Sequence, residues 1–194
     1  MKKMSLLAAQ AVAYFLLLPF FAWFLIPLPD FSRFTAVSQL LSFLPGYSGI
    51  LLRRVWYRHT LRRCGTHLTV DWLGVIRTRE SEIGDRCTLG VANWAGWVKI
   101  GNDVMTGNHV VLLSGARQHA FDDLSTAIRA QHGFKEQLEI GDDVWIGAQA
   151  VIMASVSSGN VVGAGSVVTK TFDSGSVIAG NPARLIRMRG GPAA

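Results

Sequence analysis

The sequence has little cysteine and few acidic residues. Its two cysteines, Cys64 and Cys87, stand alone, which excludes a disulfide framework and the paired spacing of a structural zinc site. Two isolated thiols are typical of a protein from a reducing compartment. The 19 lysines and arginines outnumber the 13 acidic residues, and the resulting net charge of +6 favours acidic partners.

Charge is missing from one long stretch near the N-terminus. No acidic or basic residue occurs from Met4 to Pro29, and about 20 apolar residues suffice to cross a bilayer core. The apolar core of a cleaved signal peptide has about 7–15 residues and precedes a small-residue cleavage site, neither of which fits this run. A buried helix of a soluble domain is the remaining alternative. Pro19 lies within the run and predicts a kink or a break.

A second uncharged stretch runs from Phe34 to Leu52 and is interrupted at Pro45-Gly46. The two stretches fit a helical hairpin or a re-entrant dip with both ends on one side, or a single span with an external N-terminus. Lys2 and Lys3 precede the first stretch and arginines follow the second. The positive-inside rule therefore favours the hairpin and places the following domain on the cytoplasmic side.

Residues 50–63 alternate apolar and basic side chains at helical spacing. A helix lying on a membrane surface has this pattern, and so does a helix packed on the end of a following domain. The arginines of this segment are expected to contact anionic lipid headgroups rather than nucleic acid. They are Arg53, Arg54, Arg58, Arg62 and Arg63. Residues 1–65 are thus predicted to be an α-helical membrane-associated region that contacts lipid through residues 4–63.

From about residue 66 the sequence repeats every six residues. The repeat is clearest at Ile140, Ile146 and Ile152, and it slips by one residue within 93–99. An ordinary β-sandwich predicts a period of two, whereas a six-residue unit forms one face of a triangular prism built from stacked coils. The glycine, Asn or Asp between the inward positions is expected to supply the turn geometry, including positive φ. The predicted fold class is mainly β, a parallel β-helix over residues 66–194.

The repeat stops after about Leu113 and resumes at Ile140, which leaves an excursion over residues 114–139. A long excursion from a regular solenoid is usually functional. This one contains His119, Asp122, Asp123 and His132, together with several Arg, Lys and Glu residues.

Three motifs follow the excursion: IGDDVWIGAQAVI at 140–152, VVGAGSVVTK at 161–170 and VIAGNPARLIR at 177–187. In this order, after a histidine-bearing loop, they resemble the hexapeptide-repeat acyltransferases, which include xenobiotic, galactoside and maltose acetyltransferases. The resemblance covers roughly residues 83–188 and implies a left-handed β-helix that forms a homotrimer. With LPGYSGILLRR at 44–54, the chain resembles the subgroup associated with capsule and lipopolysaccharide O-acetylation.

The resemblance implies transfer of an acyl group, taken to be acetyl, from acetyl-CoA to a hydroxyl or amine of a sugar on a lipid-linked or envelope glycan. His119 matches the family's catalytic histidine, a general base that removes a proton from the acceptor hydroxyl or amine. Asp122 or Asp123 either orients its imidazole or is a solvated loop residue. The residues matched to the coenzyme A side are Trp145, Ala148, Ala164, Lys170 and Arg184, with Arg187 as an additional charge. On the acceptor side the candidates are Asn108, His109, Asp122 and Asp123, and no metal is expected.

One departure from the family pattern stands out. The stretch containing SSGN at 157–160 is about two residues short, which predicts a tightened or bulged coil beside the donor groove. Two other functions remain open. A metal hydratase like the γ-class carbonic anhydrases would bring three histidines together on zinc across a subunit interface. His109, His119 and His132 offer the number, although their spacing is unlike that family's. A non-enzymatic scaffold would need none of these residues.

Overall fold

The computed structural model describes residues 2–23, 26 and 30–191 of the chain. Three α-helices come first, followed by short strands that wind into a parallel β-helix. The helices are α1 (Lys2–Trp23), α2 (Asp30–Ser42) and α3 (Gly46–Thr60). A short 3-10 helix, Ile128–Ala130, lies in the excursion. The predicted β-helix with an N-terminal helical region is therefore observed.

The strands form three sheets, one on each face of a triangular prism. Sheet 1 contains β1 (Arg63–Cys64), β4 (Glu82–Ile83), β7 (Val98–Ile100) and β10 (Leu138–Ile140). Sheet 2 contains β2 (Thr69–Val70), β5 (Thr88–Leu89), β8 (Met105–Thr106), β11 (Trp145–Ile146), β13 (Val161–Val162), β15 (Ser176–Gly180) and β16 (Ala183–Met188). Sheet 3 contains β3 (Val75–Ile76), β6 (Trp94–Ala95), β9 (Val111–Leu112), β12 (Val151–Ile152) and β14 (Val167–Val168).

The six-residue repeat places one inward residue on each face of a coil. Ile140, Ile146 and Ile152 are almost completely buried, and each lies in register with the inward residue of the preceding coil. Strand side chains alternate between inside and outside, so the neighbouring residues of the same strands face outward. The core is a single stack of aliphatic layers along the prism axis, as the repeat predicts.

Differences in coil length are confined to the edge between sheet 3 and sheet 1. From one inward residue to the next, this edge takes seven residues over 76–83, five over 95–100 and four over 152–156. The other two edges take six residues in every coil. The excursion leaves at this same edge, after β9, and returns at β10.

The short coil predicted beside residues 157–160 is confirmed. The shortening lies just before them, at 152–156, where the chain crosses directly from sheet 3 to sheet 1. A full strand does not form there, and an isolated bridge between Ile140 and Val156 takes its place.

The positive φ predicted for the glycine, Asn or Asp of the turns is observed at Asp103, Asp143, Gly159 and Gly165, but the glycines directly after the inward residues have a different role. A Cβ at Gly107 would lie 2.6 Å from the backbone N of Ala148 in the next coil, so these positions need glycine because the coils approach closely. Positive φ occurs two residues later, at Asp103 and His109 for example, where both residues have φ 58°. Side chains are tolerated there because they extend outward from the corner, as at Gln149 with φ 61°.

Helix α3 closes the N-terminal end of the prism. Its Trp56 and Tyr57 are fully buried, and the Tyr57 hydroxyl accepts a hydrogen bond from the N–H of Ile76 (3.0 Å). Of the two alternatives for residues 50–63, packing on the end of the domain is therefore observed. The apolar residues recur at helical spacing and therefore share one face of α3, which is the buried face.

One member of the arginine cluster is not available to lipid. The Arg53 side chain is 0% exposed, and its guanidinium donates to the carbonyl oxygens of Val70, Leu41 and Leu44, each at 2.8 Å. Burial lowers the pKa of Arg53. The prediction that Arg53 contacts headgroups is therefore wrong, because the end of α2 and the first coil enclose it.

Helix α1 lies along α3, where the Tyr14 hydroxyl and His59 Nε2 share a hydrogen bond of 2.8 Å. It continues through Pro19 to Trp23 without the predicted break. Within the described ranges, no helix is long and apolar enough to cross a membrane, so the predicted span is not confirmed. Residues 24, 25 and 27–29 of the predicted run lie outside the described residues.

Candidate active site

At the edge between sheets 1 and 2, side chains cap the backbone of the adjacent coil. The N–H of Asp85 donates to Asn102 Oδ1 (2.9 Å), that of Asn102 to Asp142 Oδ1 (2.6 Å), and that of Asp142 to Ser158 Oγ (3.0 Å). Each of these residues follows the close-approach position of its coil. The result is a continuous ladder that leaves these N–H groups satisfied.

The edge between sheets 2 and 3 begins the same ladder and then stops. The N–H of Val91 donates to Asn108 Oδ1 (3.1 Å), but the next two coils have Ala148 and Ala164 at the capping position. The alanine side chain has no hydrogen-bond acceptor. Among the described residues, the N–H groups of Asn108, Ala148 and Ala164 therefore have no hydrogen-bond acceptor.

These three donors form one column along the prism. Gln149 N–H donates to the carbonyl of Asn108, and Gly165 N–H donates to that of Ala148, each at 2.8 Å, which stacks the corners on one another. Asn108 and Ala164 are exposed and Ala148 is partly exposed. An accessible row of unpaired N–H groups suits a linear ligand that is rich in carbonyl oxygens. We call this row the donor column.

Two predicted residues border the donor column. Trp145 is 53% exposed on the outer face of sheet 2, in register between Met105 and Val161. His109 follows Asn108 at the same corner, and its backbone N–H donates to the carbonyl of Val91 (2.7 Å) while its side chain is exposed.

His119 lies on the first limb of the excursion. The two limbs are joined by hydrogen bonds from Phe134 N–H to the Arg117 carbonyl (2.7 Å) and from Glu136 N–H to the Ser114 carbonyl (3.1 Å). Gly133 packs so closely that a Cβ there would lie 2.6 Å from the Cα of His119. The His119 side chain is exposed, and no hydrogen bond within the described chain connects it to the donor column.

The two acids of the excursion differ in their surroundings. Asp123 accepts hydrogen bonds from the hydroxyl (2.6 Å) and the N–H (2.8 Å) of Ser125. Hydrogen bonds from Ser125 and Thr126 lower the pKa of Asp123 to about 2. Asp122 is exposed and has no hydrogen-bond partner within the described ranges. Asp122 is therefore the freer of the two to meet another group.

The predicted phosphate-binding residues lie toward the C-terminal end. Lys170 follows β14, with its Nζ 5.4 Å from the centre of the Phe172 ring. Arg184 and Arg187 lie on β16, which pairs antiparallel with β15. Their guanidinium groups donate to backbone carbonyls, at 3.0 Å to Ala183 for Arg184 and 3.0 Å to Met188 for Arg187. No ion pair involves these three side chains in the part of the chain that the structure describes.

Two other features of the structure concern the metal-hydratase alternative. A hollow of about 570 Å³ lies over sheet 1, beside the ion pair of Lys99 and Glu139 (3.2 Å), but its lining contains no histidine. Among the described residues, no group of three or more histidine, cysteine or acidic side chains could hold a metal ion. The three histidines of the hydratase alternative therefore do not converge within one chain.

Sequence comparison finds acetyltransferases. The chain is 35% identical over 92 residues to a putative acetyltransferase of Schizosaccharomyces pombe, covering 46% of this chain and 42% of that protein. It is 48% identical over 52 residues to galactoside O-acetyltransferase of Escherichia coli, covering 26% of each. The match thus spans less than half the length of these relatives. No family model matches the chain.

Structure comparison extends over most of the chain. A hexapeptide-repeat acetyltransferase from Vibrio cholerae superposes with a TM-score of 0.64 at 20% identity, covering 84% of this chain and 94% of that one. A maltose O-acetyltransferase from Clostridium difficile gives a TM-score of 0.60 at 20% identity, covering 81% and 87%. The resemblance seen in the motifs is thus confirmed at the level of fold, and the chain has the left-handed β-helix architecture of the hexapeptide-repeat acetyltransferases.

Proposed function

We propose that the protein transfers an acetyl group from acetyl-CoA to a sugar hydroxyl, or amine, of a lipid-linked or envelope glycan. The donor column carries this proposal, because the amide carbonyls of a pantetheine arm are the acceptors that such a row suits. Related folds have been solved with acetyl-CoA, from Vibrio cholerae, and with coenzyme A, in a galactoside acetyltransferase. The relatives in sequence are acetyltransferases as well.

His119 is proposed as the general base. A ring nitrogen takes the proton of the acceptor hydroxyl as its oxygen attacks the thioester carbonyl carbon. The tetrahedral intermediate collapses with cleavage of the carbon–sulfur bond. The departing thiolate then takes the proton from the imidazolium, so acetylated acceptor and free coenzyme A leave and His119 is regenerated. Asp122 is the acid proposed to orient the imidazole, since Asp123 is already engaged by Ser125.

The remaining predicted residues are assigned around this centre. Lys170 and Arg184, with Arg187, are proposed to bind the nucleotide phosphates, since their cationic groups have no carboxylate partner in the described chain. Trp145 is proposed to flank the pantetheine arm. Asn108 and His109 are proposed to face the acceptor.

The site is proposed to be completed in a homotrimer. The outer face of sheet 1 is charged, as the pair of Lys99 and Glu139 shows. The outward side chains of sheet 2 from β8 to β13 and of sheet 3 from β6 to β14 are apolar, and an apolar patch at the surface of a monomer marks a contact surface. These side chains are Met105, Trp145 and Val161 on sheet 2 and Trp94, Val111, Val151 and Val167 on sheet 3. The donor column lies between them, so a neighbouring subunit can bring its own His119 to it.

Membrane association through residues 4–63 is also proposed, with the β-helix on the cytoplasmic side. It is supported by exposed apolar side chains on α1, with Phe15 72% and Leu18 57% exposed. A helix with such a face can lie in the interfacial plane of a bilayer without crossing it. This position would hold the site near a lipid-linked acceptor.

The test measures thiol release from acetyl-CoA with a panel of sugar acceptors. Removing a general base typically costs about 10²–10⁴-fold in rate, so we expect a fall of that size in kcat for His119→Ala. His132→Ala, a change of the same kind on the other limb of the excursion, should leave kcat unchanged. Full transfer by His119→Ala would refute the mechanism. Mass spectrometry of envelope glycans with and without the protein then identifies the acceptor.

A further inference from the structure

A second cavity, of about 390 Å³, lies at the N-terminal end of the prism. Its volume is within the range of about 300–1,000 Å³ that is usual for small-molecule sites. The cavity opens where α1 and α3 meet the first coil of the β-helix. Its lining consists of Gln10, Tyr14, Arg54, Val55, Arg58, Thr66 and His67. We call it the cap pocket.

The cap pocket is cationic. Arg54 and Arg58 are four residues apart on α3 and therefore neighbours on one helix face. Arg54 donates only to uncharged acceptors, the Leu68 carbonyl (2.6 Å) and the Thr69 hydroxyl (3.3 Å). Arg58 is exposed, and within the described ranges it has no ion-pair partner. Two guanidinium groups without a carboxylate between them form a site for an anion such as a phosphate.

The pocket also offers polar groups, and among the described residues one carboxylate, that of Asp85, contacts its lining. Asp85 Oδ1 accepts hydrogen bonds from the N–H (2.6 Å) and the hydroxyl (2.8 Å) of Thr66. These bonds lower the pKa of Asp85, and its carboxylate forms no ion pair with Arg54 or Arg58. The amide of Gln10 and the side chain of His67 remain as further polar groups at the opening.

The exposed part of α1 next to the lining residues Gln10 and Tyr14, which we call the rim, carries apolar side chains. Leu7 lies one turn before Gln10 on α1 and is 65% exposed, and Leu18 lies one turn after Tyr14 and is 57% exposed. Phe15, beside Tyr14, is 72% exposed. A free phosphate or a nucleotide would leave these side chains in water. A phospholipid offers both the anion for the arginines and an apolar phase for the rim.

We propose that the cap pocket binds the phosphate of an anionic phospholipid, with the exposed face of α1 among the acyl chains. The inference rests on the proposed membrane association and assigns it a lipid class and a binding site. Arg54 and Arg58 hold the phosphate, while Leu7, Phe15 and Leu18 enter the interface.

The test is co-sedimentation of the full chain with vesicles of phosphatidylcholine alone or doped with phosphatidylglycerol. Each basic residue near an anionic surface contributes about a fivefold change in partitioning. We therefore expect Arg58→Gln to weaken binding to the anionic vesicles at least about fivefold. Binding to the neutral vesicles should not change. Arg129→Gln removes the same charge from the exposed excursion and is the matched control, expected to bind as the unaltered chain does.

The outcomes separate the pocket from the membrane association itself. If the chain binds both kinds of vesicle and Arg58→Gln behaves like Arg129→Gln, the cap pocket is overturned and membrane association stands. If the chain binds neither kind of vesicle, both ideas fail. A third arm titrates inorganic phosphate by calorimetry. Arg58-dependent binding of phosphate without any preference for anionic vesicles would overturn the lipid as the ligand. Phe15→Ser should weaken binding to both kinds of vesicle and leave phosphate binding unchanged.

Discussion

At the scale of single residues, Ala148 and Ala164 matter because their side chains have no oxygen atom that could cap an N–H of the neighbouring coil. Ala164→Ser would supply an acceptor to the N–H of Ala148, as Ser158 does for Asp142 (3.0 Å), and so occupy one member of the donor column. A hydrogen bond contributes about 1 kcal/mol, so we expect the KM for acetyl-CoA to rise about fivefold with little change in kcat. Val91→Ser places the same side chain earlier on this edge and should leave KM unaltered. An unchanged KM for Ala164→Ser would mean that acetyl-CoA does not use this donor.

Gly107 is expected to be sensitive to the smallest side chain. The Cβ of Gly107→Ala would meet the backbone of Ala148 at 2.6 Å and force two coils apart. Overpacking of this kind costs about 1–3 kcal/mol, which urea denaturation should reveal. Gly165→Ala is the contrasting variant, because its Cβ would have no atom within 4 Å and only its φ of +67° is unfavourable. We expect Gly165→Ala to cost about 1 kcal/mol, and an equal or larger loss there would contradict the close-approach explanation.

These residues also show where sequence reasoning reached its limit. The period of six identified the inward isoleucines because a core of this shape demands it. The period did not show whether a glycine is needed for positive φ or for the absence of a Cβ. That distinction depends on the distance between stacked coils, which the sequence does not give. The donor column left a readable signal: alanine stands at 148 and 164, where the other edge has Asn, Asp and Ser.

At the scale of elements, α3 depends on one buried guanidinium. Arg53 joins α2, α3 and β2 through three carbonyl oxygens. Arg53→Met would leave those oxygens buried without a donor, and we expect a loss of about 3 kcal/mol in the free energy of unfolding. Hydrogen exchange should locate the loss in α2 and α3. Arg129→Met, at an exposed position, should be neutral, and an equal effect at both sites would exclude the proposed role of Arg53.

The helical period of residues 50–63 was predictable, but the surface against which the helix packs was not. A membrane and the open end of a β-helix both bury an apolar face, so the amphipathic pattern is the same in each case. The sequence shows the charge of Arg53 but not the carbonyl groups around it, which come from segments 9–17 residues away.

At the scale of the whole molecule, the proposed trimer can be tested through Met105. This side chain is 55% exposed on the outer face of sheet 2 and lies in register with Trp145. Met105→Glu would place a charge in an apolar interface, and we expect sedimentation velocity to show monomers and the acetylation assay to show a large loss of activity. Lys99→Glu introduces the same side chain on the charged sheet 1 and should leave the assembly intact. A monomeric unaltered protein that is fully active would contradict the proposed arrangement.

His119 illustrates why the site could be located in sequence but not assembled from it. Its position at the start of the excursion follows from where the repeat breaks. Its catalytic surroundings do not, because no hydrogen bond within the described chain links it to the donor column. A site between subunits depends on which surfaces of two chains contact each other. The repeat pattern of one chain does not show this.

The edge between sheet 3 and sheet 1 takes up every change in coil length, and the donor column lies on a different edge. Insertions between β9 and β10, within residues 113–137, therefore leave the stacking of the coils undisturbed. Under the proposed function, the part of the chain that recognises the acceptor can be exchanged without rebuilding the part that holds acetyl-CoA. Acceptor range in such a scaffold is modular, and a new substrate requires a new excursion rather than a new fold.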